Sequence, residues 1–191
     1  MTSMMFGWRM ALAAHTAAIH GRTAQICNEL PMERISSPKM PEGTNVLDWY
    51  EETLDGLLAA LTAVDAESPC WGFVPDSTVG FWERRMVVET GIHRWDAFQA
   101  FGEEDRLTDH VARTGLDEFA DMWLGRLGEV RALRVTATDL GRSWTFGVDA
   151  EAEVEGTASD IFLRLMARPS PVRLPDDWEA AVDDLDPPPK R

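Results

Sequence analysis

The sequence predicts an α+β protein, in which a helical part to about residue 127 is followed by a small mixed α/β part. Two observations predict this class. Apolar residues recur at helical spacing through the first part. From Arg131 onward, the pattern changes to the alternation of β-branched and polar residues that is typical of strands. We therefore place one domain at residues 1–127 and a second at residues 128–191, the latter ending in a Pro-rich tail.

Four helices are predicted in the first part, separated by loops that are rich in Pro, Gly and Ser. Pro31 follows the first helix and cannot continue it. Asn45 can cap the second helix, and Gly102 is placed to end the third. The predicted helices cover residues 9–29, 46–64, 78–101 and 108–126.

The second part is predicted to contain three short strands and two helices. A turn at residues 139–142 separates the first two strands. Thr157 or Ser159 can cap the first of the two helices. The predicted strands cover residues 131–138, 143–149 and 152–155, and the helices cover residues 160–166 and 178–182.

Charge and composition exclude several classes of function. The formal net charge of −15 argues against binding to nucleic acid, which needs a basic surface, and against docking on anionic lipid. No apolar run approaches the roughly 20 residues that a membrane-spanning helix needs. The N-terminus does not have the pattern of a signal peptide. Cys27 and Cys70 are too few for a disulfide framework, so we expect reduced thiols and a cytoplasmic protein.

A carboxylate and an imidazole in the third helix are candidates for metal ligands. Glu89 and His93 are four residues apart, which places both on one face of a helix with their Cβ atoms about 5–6 Å apart. Oxygen and nitrogen donors of this kind suit Zn²⁺ and related divalent ions. The same spacing is also common in solvated surface pairs, so it does not by itself establish a site.

A third ligand is available on the first helix. His15 lies among small residues, which would let another helix approach closely; these residues are Ala13, Ala14, Ala17 and Ala18. Val88 and Ile92 make the third helix apolar, so Glu89 and His93 are expected near the core. The alternatives are a hydrogen-bonded core histidine at His15, or His20 as the ligand from that helix.

Two other residues of the third helix could support these ligands without touching a metal. Asp96 could accept a hydrogen bond from a ligand imidazole, or it could be a plain acid on the helix surface. Arg85 is the second candidate, although solvated charge is the commoner explanation for Arg84, Arg85 and Arg94. Cys27 and Cys70 are poor candidates for ligands, because they do not have the spacing of a zinc finger.

The third helix resembles the central signature of the mycothiol-dependent maleylpyruvate isomerase family, one of the DinB-like metal-binding helical bundles. The segment that carries this resemblance reads Arg84-Arg85, Glu89, His93-Arg94-Trp95-Asp96-Ala97, with Phe81-Trp82 before it. Other stretches similar to the family lie at residues 7–20, 137–144 and 158–160. The resemblance extends from about residue 7 to residue 182.

This resemblance implies a DinB-like antiparallel helix bundle followed by a small α/β C-terminal domain. It implies that His15, Glu89 and His93 hold a divalent ion, most often zinc, with positions left open for a small-molecule substrate. It further implies an isomerase or a thiol transferase that uses mycothiol, a low-molecular-weight thiol, as co-substrate. In the isomerase the thiol adds to the substrate and allows cis–trans rotation. Arg168 is the residue that corresponds to a catalytic arginine of the C-terminal domain.

The chain also departs from the family pattern. Relatives usually have a further helix ahead of the segment at Gly7-Trp8, near which this chain begins, so the first helix of the family is apparently missing. A bundle without that helix would expose an apolar groove, which favours association and predicts a possible homodimer. Val88 stands where many relatives have a histidine that is not a ligand. The alternative function is therefore a degenerate, non-catalytic bundle that binds a metal or a small molecule.

Overall fold

The structure is a computed structural model of the 191-residue chain, and it describes residues 42–70, 72 and 74–185. The predicted first helix, with His15 and His20, lies outside these residues, as does Cys27. The described elements are, in order, α1 (Val46–Thr62), α2 (Val79–Ala100), α3 (Asp109–Met122), a 3-10 turn (Leu124–Arg126), β1 (Leu133–Ala137), β2 (Arg142–Phe146), β3 (Ala152–Gly156), α4 (Ala158–Leu165) and α5 (Asp176–Asp183). This order of elements confirms the predicted α+β class.

Helix α1 begins where the sequence predicted a cap. The Asn45 side chain accepts a hydrogen bond from the backbone N–H of Leu47 at 2.8 Å, which satisfies one of the free donors at the helix start. Leu57, Ala60 and Leu61 form the buried face in the second half of the helix. The sequence therefore gives the position of α1, whereas its apolar pattern gives the buried side only in part, because Leu47 and Leu58 are exposed.

Helix α2 carries the candidate ligands and is fixed at both ends. Before it, Pro69 and Thr78 form an isolated β-bridge, and the backbone N–H of Cys70 donates to the carbonyl of Ser77 at 2.9 Å. At its end Gly102 has φ +71°, a left-handed conformation that glycine adopts at little cost, and its N–H donates to the carbonyl of Gln99. Between these ends Trp82, Val88 and Ile92 are among the buried side chains.

The second part of the chain folds around a three-stranded sheet with the order β2-β1-β3. The central strand β1 pairs antiparallel with β2 and parallel with β3, so that Val135 lies opposite both Trp144 and Val154. Side chains alternate between a buried face and a polar one, as a sheet covered on one side requires. The buried side chains of the first two strands are Leu133, Val135, Ala137, Trp144 and Phe146.

Helices α3, α4 and α5 contribute to the core of this second part. Phe119 of α3 and Trp178 of α5 contact Phe146 of β2, with ring centroids 5.1 and 5.9 Å from it. Arg164 of α4 donates to Glu179 of α5 at 2.8 Å. This hydrogen bond is the main cause that lowers the pKa of the Glu179 carboxyl below its ordinary value. Aromatic contacts therefore join α3 and α5 to β2, and a charged pair joins α4 to α5.

The chain divides into two compact units between His93 and Arg94, so that the boundary falls inside α2. The domain boundary after residue 127, which the change of periodicity in the sequence suggested, stays a prediction. Among the described residues, no helix is long and apolar enough to cross a membrane.

Candidate metal centre

Glu89 and His93 lie together on one face of α2. The Oε1 atom of Glu89 is 3.1 Å from Nε2 of His93, as expected for side chains four residues apart on a helix. Both side chains are largely shielded from solvent, with 15% of Glu89 and 27% of His93 exposed. The predicted pair is therefore in contact and half-buried, unlike the solvated surface pair that the same spacing often forms.

Arg85 lies one turn before Glu89 and contacts the same carboxylate. Its Nη2 donates to Oε2 of Glu89, and only 9% of its side chain is exposed. Arg84, by contrast, is exposed. Arg94 forms an ion pair with Asp105, with 2.8 Å between Nη1 and Oδ2. Of the three arginines considered from the sequence, Arg85 is the one that contacts a predicted ligand, whereas the sequence favoured solvated charge for it.

The donor atoms of this pair are of the types that divalent metals bind, and their separation is compatible with two ligands of one ion. Ligand atoms bound to a tetrahedral zinc ion at about 2.0–2.1 Å lie about 3.3 Å from one another. Oε1 of Glu89 and Nε2 of His93, at 3.1 Å, already have nearly this separation. Within residues 42–70, 72 and 74–185 there is no group of three or more His, Cys, Asp or Glu side chains that could hold a metal. The predicted third ligand, His15, lies outside those residues, so the three-ligand site stays a prediction.

Cys70 is a poor ligand and a poor nucleophile. Its side chain is buried in the loop before α2, and this burial raises the pKa of the thiol to about 11. Metals bind the thiolate, which is scarce at neutral pH when the pKa is so high.

Asp96 and Arg168 form a bidentate ion pair. Nε and Nη2 of Arg168 donate to Oδ1 and Oδ2 of Asp96 at 3.1 and 2.8 Å, and Nη1 donates to the carbonyl of Met166 at 2.8 Å. Ala167 has a left-handed backbone with φ +58°, and the N–H of Arg168 donates to the carbonyl of Leu163. A left-handed residue followed by such a hydrogen bond is a common way to end a helix. Arg168 is therefore the residue that directly follows the left-handed end of α4.

The sequence proposed roles for both residues of this pair but did not predict their contact. Asp96 was considered as a partner for a ligand imidazole or as a surface acid, and Arg168 as a catalytic residue. Seventy-two positions separate them, and no periodicity relates residues at such a distance. A single sequence therefore carries no local signal for this contact.

The structure defines the protein as an α+β chain whose N-terminal helical part carries a shielded carboxylate–imidazole pair. A family model described as "Mycothiol maleylpyruvate isomerase N-terminal domain" matches residues 6–98, which include this pair. This segment is similar to that domain family, and for residues 6–98 the match confirms the resemblance seen in the sequence. Neither the curated proteins nor the solved structures contain a significant match to the chain.

Proposed function

We propose that the protein is a divalent-metal-binding, thiol-dependent enzyme of the isomerase or thiol-transferase type, with mycothiol as its thiol. One observation carries this proposal. The contact between Glu89 and His93 lies inside the segment that matches the mycothiol maleylpyruvate isomerase N-terminal domain. The match supports mycothiol as the thiol, and the shielded donor pair supports the metal.

In this proposal Glu89, His93 and His15 are the three protein ligands, and zinc is the expected ion. Three protein ligands leave a position for a small molecule, as in catalytic zinc sites. When bound, the metal supplies a positive charge that stabilises a thiolate or polarises a carbonyl group. Arg85 holds the Glu89 carboxylate by donating to Oε2, while Oε1 faces His93.

Arg168 is proposed to bind a negatively charged group of the substrate. A guanidinium group has five N–H donors, and Asp96 and the Met166 carbonyl accept three hydrogen bonds from Arg168. The remaining donors suit a carboxylate, which arginine recognises with its planar fork. The role of Asp96 is then to orient Arg168.

A second candidate function is a bundle that binds a metal or small molecule without catalysis. It is favoured by the same ion pair, because Asp96 already engages one edge of the Arg168 guanidinium and neutralises its charge. An arginine held in this way can serve structure alone. The two candidates share the metal site and differ in turnover.

Metal content tests the site that both candidates share. We predict about one zinc ion per chain in the purified protein, and loss of most of it in His93→Ala, because one of three protein ligands is then absent. His110, an exposed histidine of α3, gives the matched control His110→Ala, which should keep its metal. Elemental analysis that finds no metal, or equal metal in His93→Ala, would contradict the proposal.

Thiol dependence separates the enzyme from the binding bundle. The metal-loaded protein is assayed with maleylpyruvate, and separately with an electrophile, in the presence and absence of mycothiol. The proposal expects turnover that requires the thiol. Turnover that is indifferent to the thiol would count against it, and metal binding without any turnover would favour the second candidate.

The homodimer expected from the sequence stays a prediction, which sedimentation of the same protein would test.

A further inference from the structure

Three charged or polar side chains form a line along α2, each four residues from the next. Arg85 contacts Oε2 of Glu89, and the other oxygen of the same carboxylate, Oε1, contacts Nε2 of His93. The two oxygens of Glu89 therefore face different partners, one a permanent cation and the other a neighbouring candidate ligand.

Burial makes the contact between Arg85 and Glu89 durable. The exposed fractions of the two side chains are 9% and 15%, so neither charge is fully hydrated. A guanidinium group remains protonated under all ordinary conditions, and a buried charge that loses its partner is strongly destabilising. Oε2 of Glu89 is consequently expected to stay with Arg85 when a metal binds to Oε1.

We propose that Arg85 is a positioning residue that makes Glu89 a one-oxygen ligand and so keeps a position on the metal free for a small anion such as a thiolate. The inference rests on the metal site of the proposed function. A carboxylate without this contact can bind a metal through both oxygens, which would fill that position.

The positive charge of Arg85 also favours the binding of an anion to the metal. The formal charges of Arg85 and Glu89 cancel, and His93 is a neutral ligand when it binds a metal. Arg85 therefore offsets the negative charge that Glu89 would otherwise bring to the ion, which leaves the ion more positive toward an incoming ligand. A site of this kind favours an anionic ligand over a neutral one, which agrees with the use of a thiolate.

Cobalt(II) and 2-mercaptoethanol are suitable probes for this inference. Cobalt replaces zinc in such sites and absorbs visible light, and its spectrum changes when a thiolate binds to it. With the site saturated by cobalt, we expect Arg85→Met to bind 2-mercaptoethanol at least about tenfold more weakly than the unmodified protein, the size of effect that partners of metal ligands typically have. Arg84→Met is the matched control, since Arg84 is the exposed neighbour, and it should bind the thiol normally.

Two further variants keep the test decisive. Arg85→Lys retains the charge and a donor, so it should recover most of the thiol affinity, which a merely structural role would not predict for a residue of different shape. Arg85→Gln keeps a polar group at the buried position but is shorter and uncharged. It should lose affinity as Arg85→Met does, and it replaces that variant if the latter does not fold.

The outcomes distinguish this inference from the proposed function. Unmodified protein that binds no cobalt would overturn the metal site, and this inference with it. Unmodified protein that binds cobalt, with equal thiol affinity in Arg85→Met, would overturn the role of Arg85 alone. An Arg85→Met protein that folds but takes up no cobalt at any concentration would also overturn it, because Glu89 must remain a ligand.

Discussion

Cys70 limits where the reactive sulfur of a thiol-dependent reaction can come from. Its side chain is 6% exposed, and burial raises the pKa of its thiol to about 11. The thiolate is the nucleophilic form of cysteine, so Cys70 is inert near neutral pH. A reaction of the proposed kind would therefore take its sulfur from a small molecule and not from this side chain.

The raised pKa of the Cys70 thiol predicts how the stability of the protein depends on pH. Between the ordinary pKa of 9.0 and the raised value of about 11, the unfolded chain is ionised and the folded chain is not. Stability is therefore expected to fall as the pH rises through this window, because folding keeps the proton on the thiol. At pH 8 the thiolate fraction in the folded protein is about 100-fold smaller than in the unfolded chain.

Labelling with iodoacetamide measures this difference. In a Cys27→Ser background, the folded protein should react about 100-fold more slowly at pH 8 than the same protein in guanidinium chloride. Cys70→Ala in the same background gives the blank. Equal rates in the folded and unfolded protein would show that the thiol is accessible and ionises normally.

At the scale of single residues, the sequence predicted contacts within a helix better than contacts between distant segments. Glu89 and His93 meet because a helix brings residues four apart together, and the sequence alone shows that spacing. The contact of Arg168 with Asp96 depends on how α4 ends, including the left-handed Ala167. Alanine rarely adopts this conformation, so the sequence does not predict it at position 167.

The contact between α3 and α4 depends on the absence of a side chain at one position. A Cβ atom added to Gly115 of α3 would lie 2.1 Å from Cζ of Phe162, an impossible distance for two carbon atoms. Phe162 is fully buried, so its ring has little room to move. Glycine is therefore needed here for close approach of the helices, although it lowers the intrinsic stability of α3.

A substitution at Gly115 tests this packing. Gly115→Ala should lower the free energy of unfolding by about 1–3 kcal/mol, the usual effect of overpacking a core, even though alanine favours a helix. Gly125→Ala is the matched control, because a Cβ atom there would meet no atom within 4 Å. Urea unfolding of both variants gives the comparison. A Gly115→Ala protein as stable as the control would show that the two helices can separate without cost.

At the scale of elements, the sequence predicted the helix caps correctly, and it predicted the ends of the strands less accurately. Asn45 caps α1, and Thr157, one of the two residues considered, caps α4 by accepting from the N–H of Asp160. Ser159 instead accepts a hydrogen bond from the N–H of Leu107. The second strand ends at Phe146 and not at residue 149, because Gly147 has φ +96°, which is incompatible with a continuing strand. Caps are local chemistry, whereas strand ends depend on pairing.

At the scale of the whole molecule, the acidic charge acts on stability as well as on the choice of partner. The chain has 33 acidic and 18 basic residues, which gives the net charge of −15. Such an excess of one sign repels itself in the compact state. The described ion pairs oppose this effect, but pairs as exposed as Arg142 with Asp117 contribute little each. The repulsion is therefore expected to outweigh them.

Salt should consequently stabilise the protein. The distance over which charges act falls from about 30 Å at 0.01 M salt to about 10 Å at 0.1 M, so added salt removes the long-range repulsion before it weakens close ion pairs. We predict that the midpoint of thermal unfolding rises by a few degrees between these two concentrations of sodium chloride. Guanidinium chloride at 0.1 M is the control, since it screens charge equally but is a denaturant. If screening is the cause, it should also raise the midpoint, and a midpoint that falls in both salts would show that the ion pairs dominate.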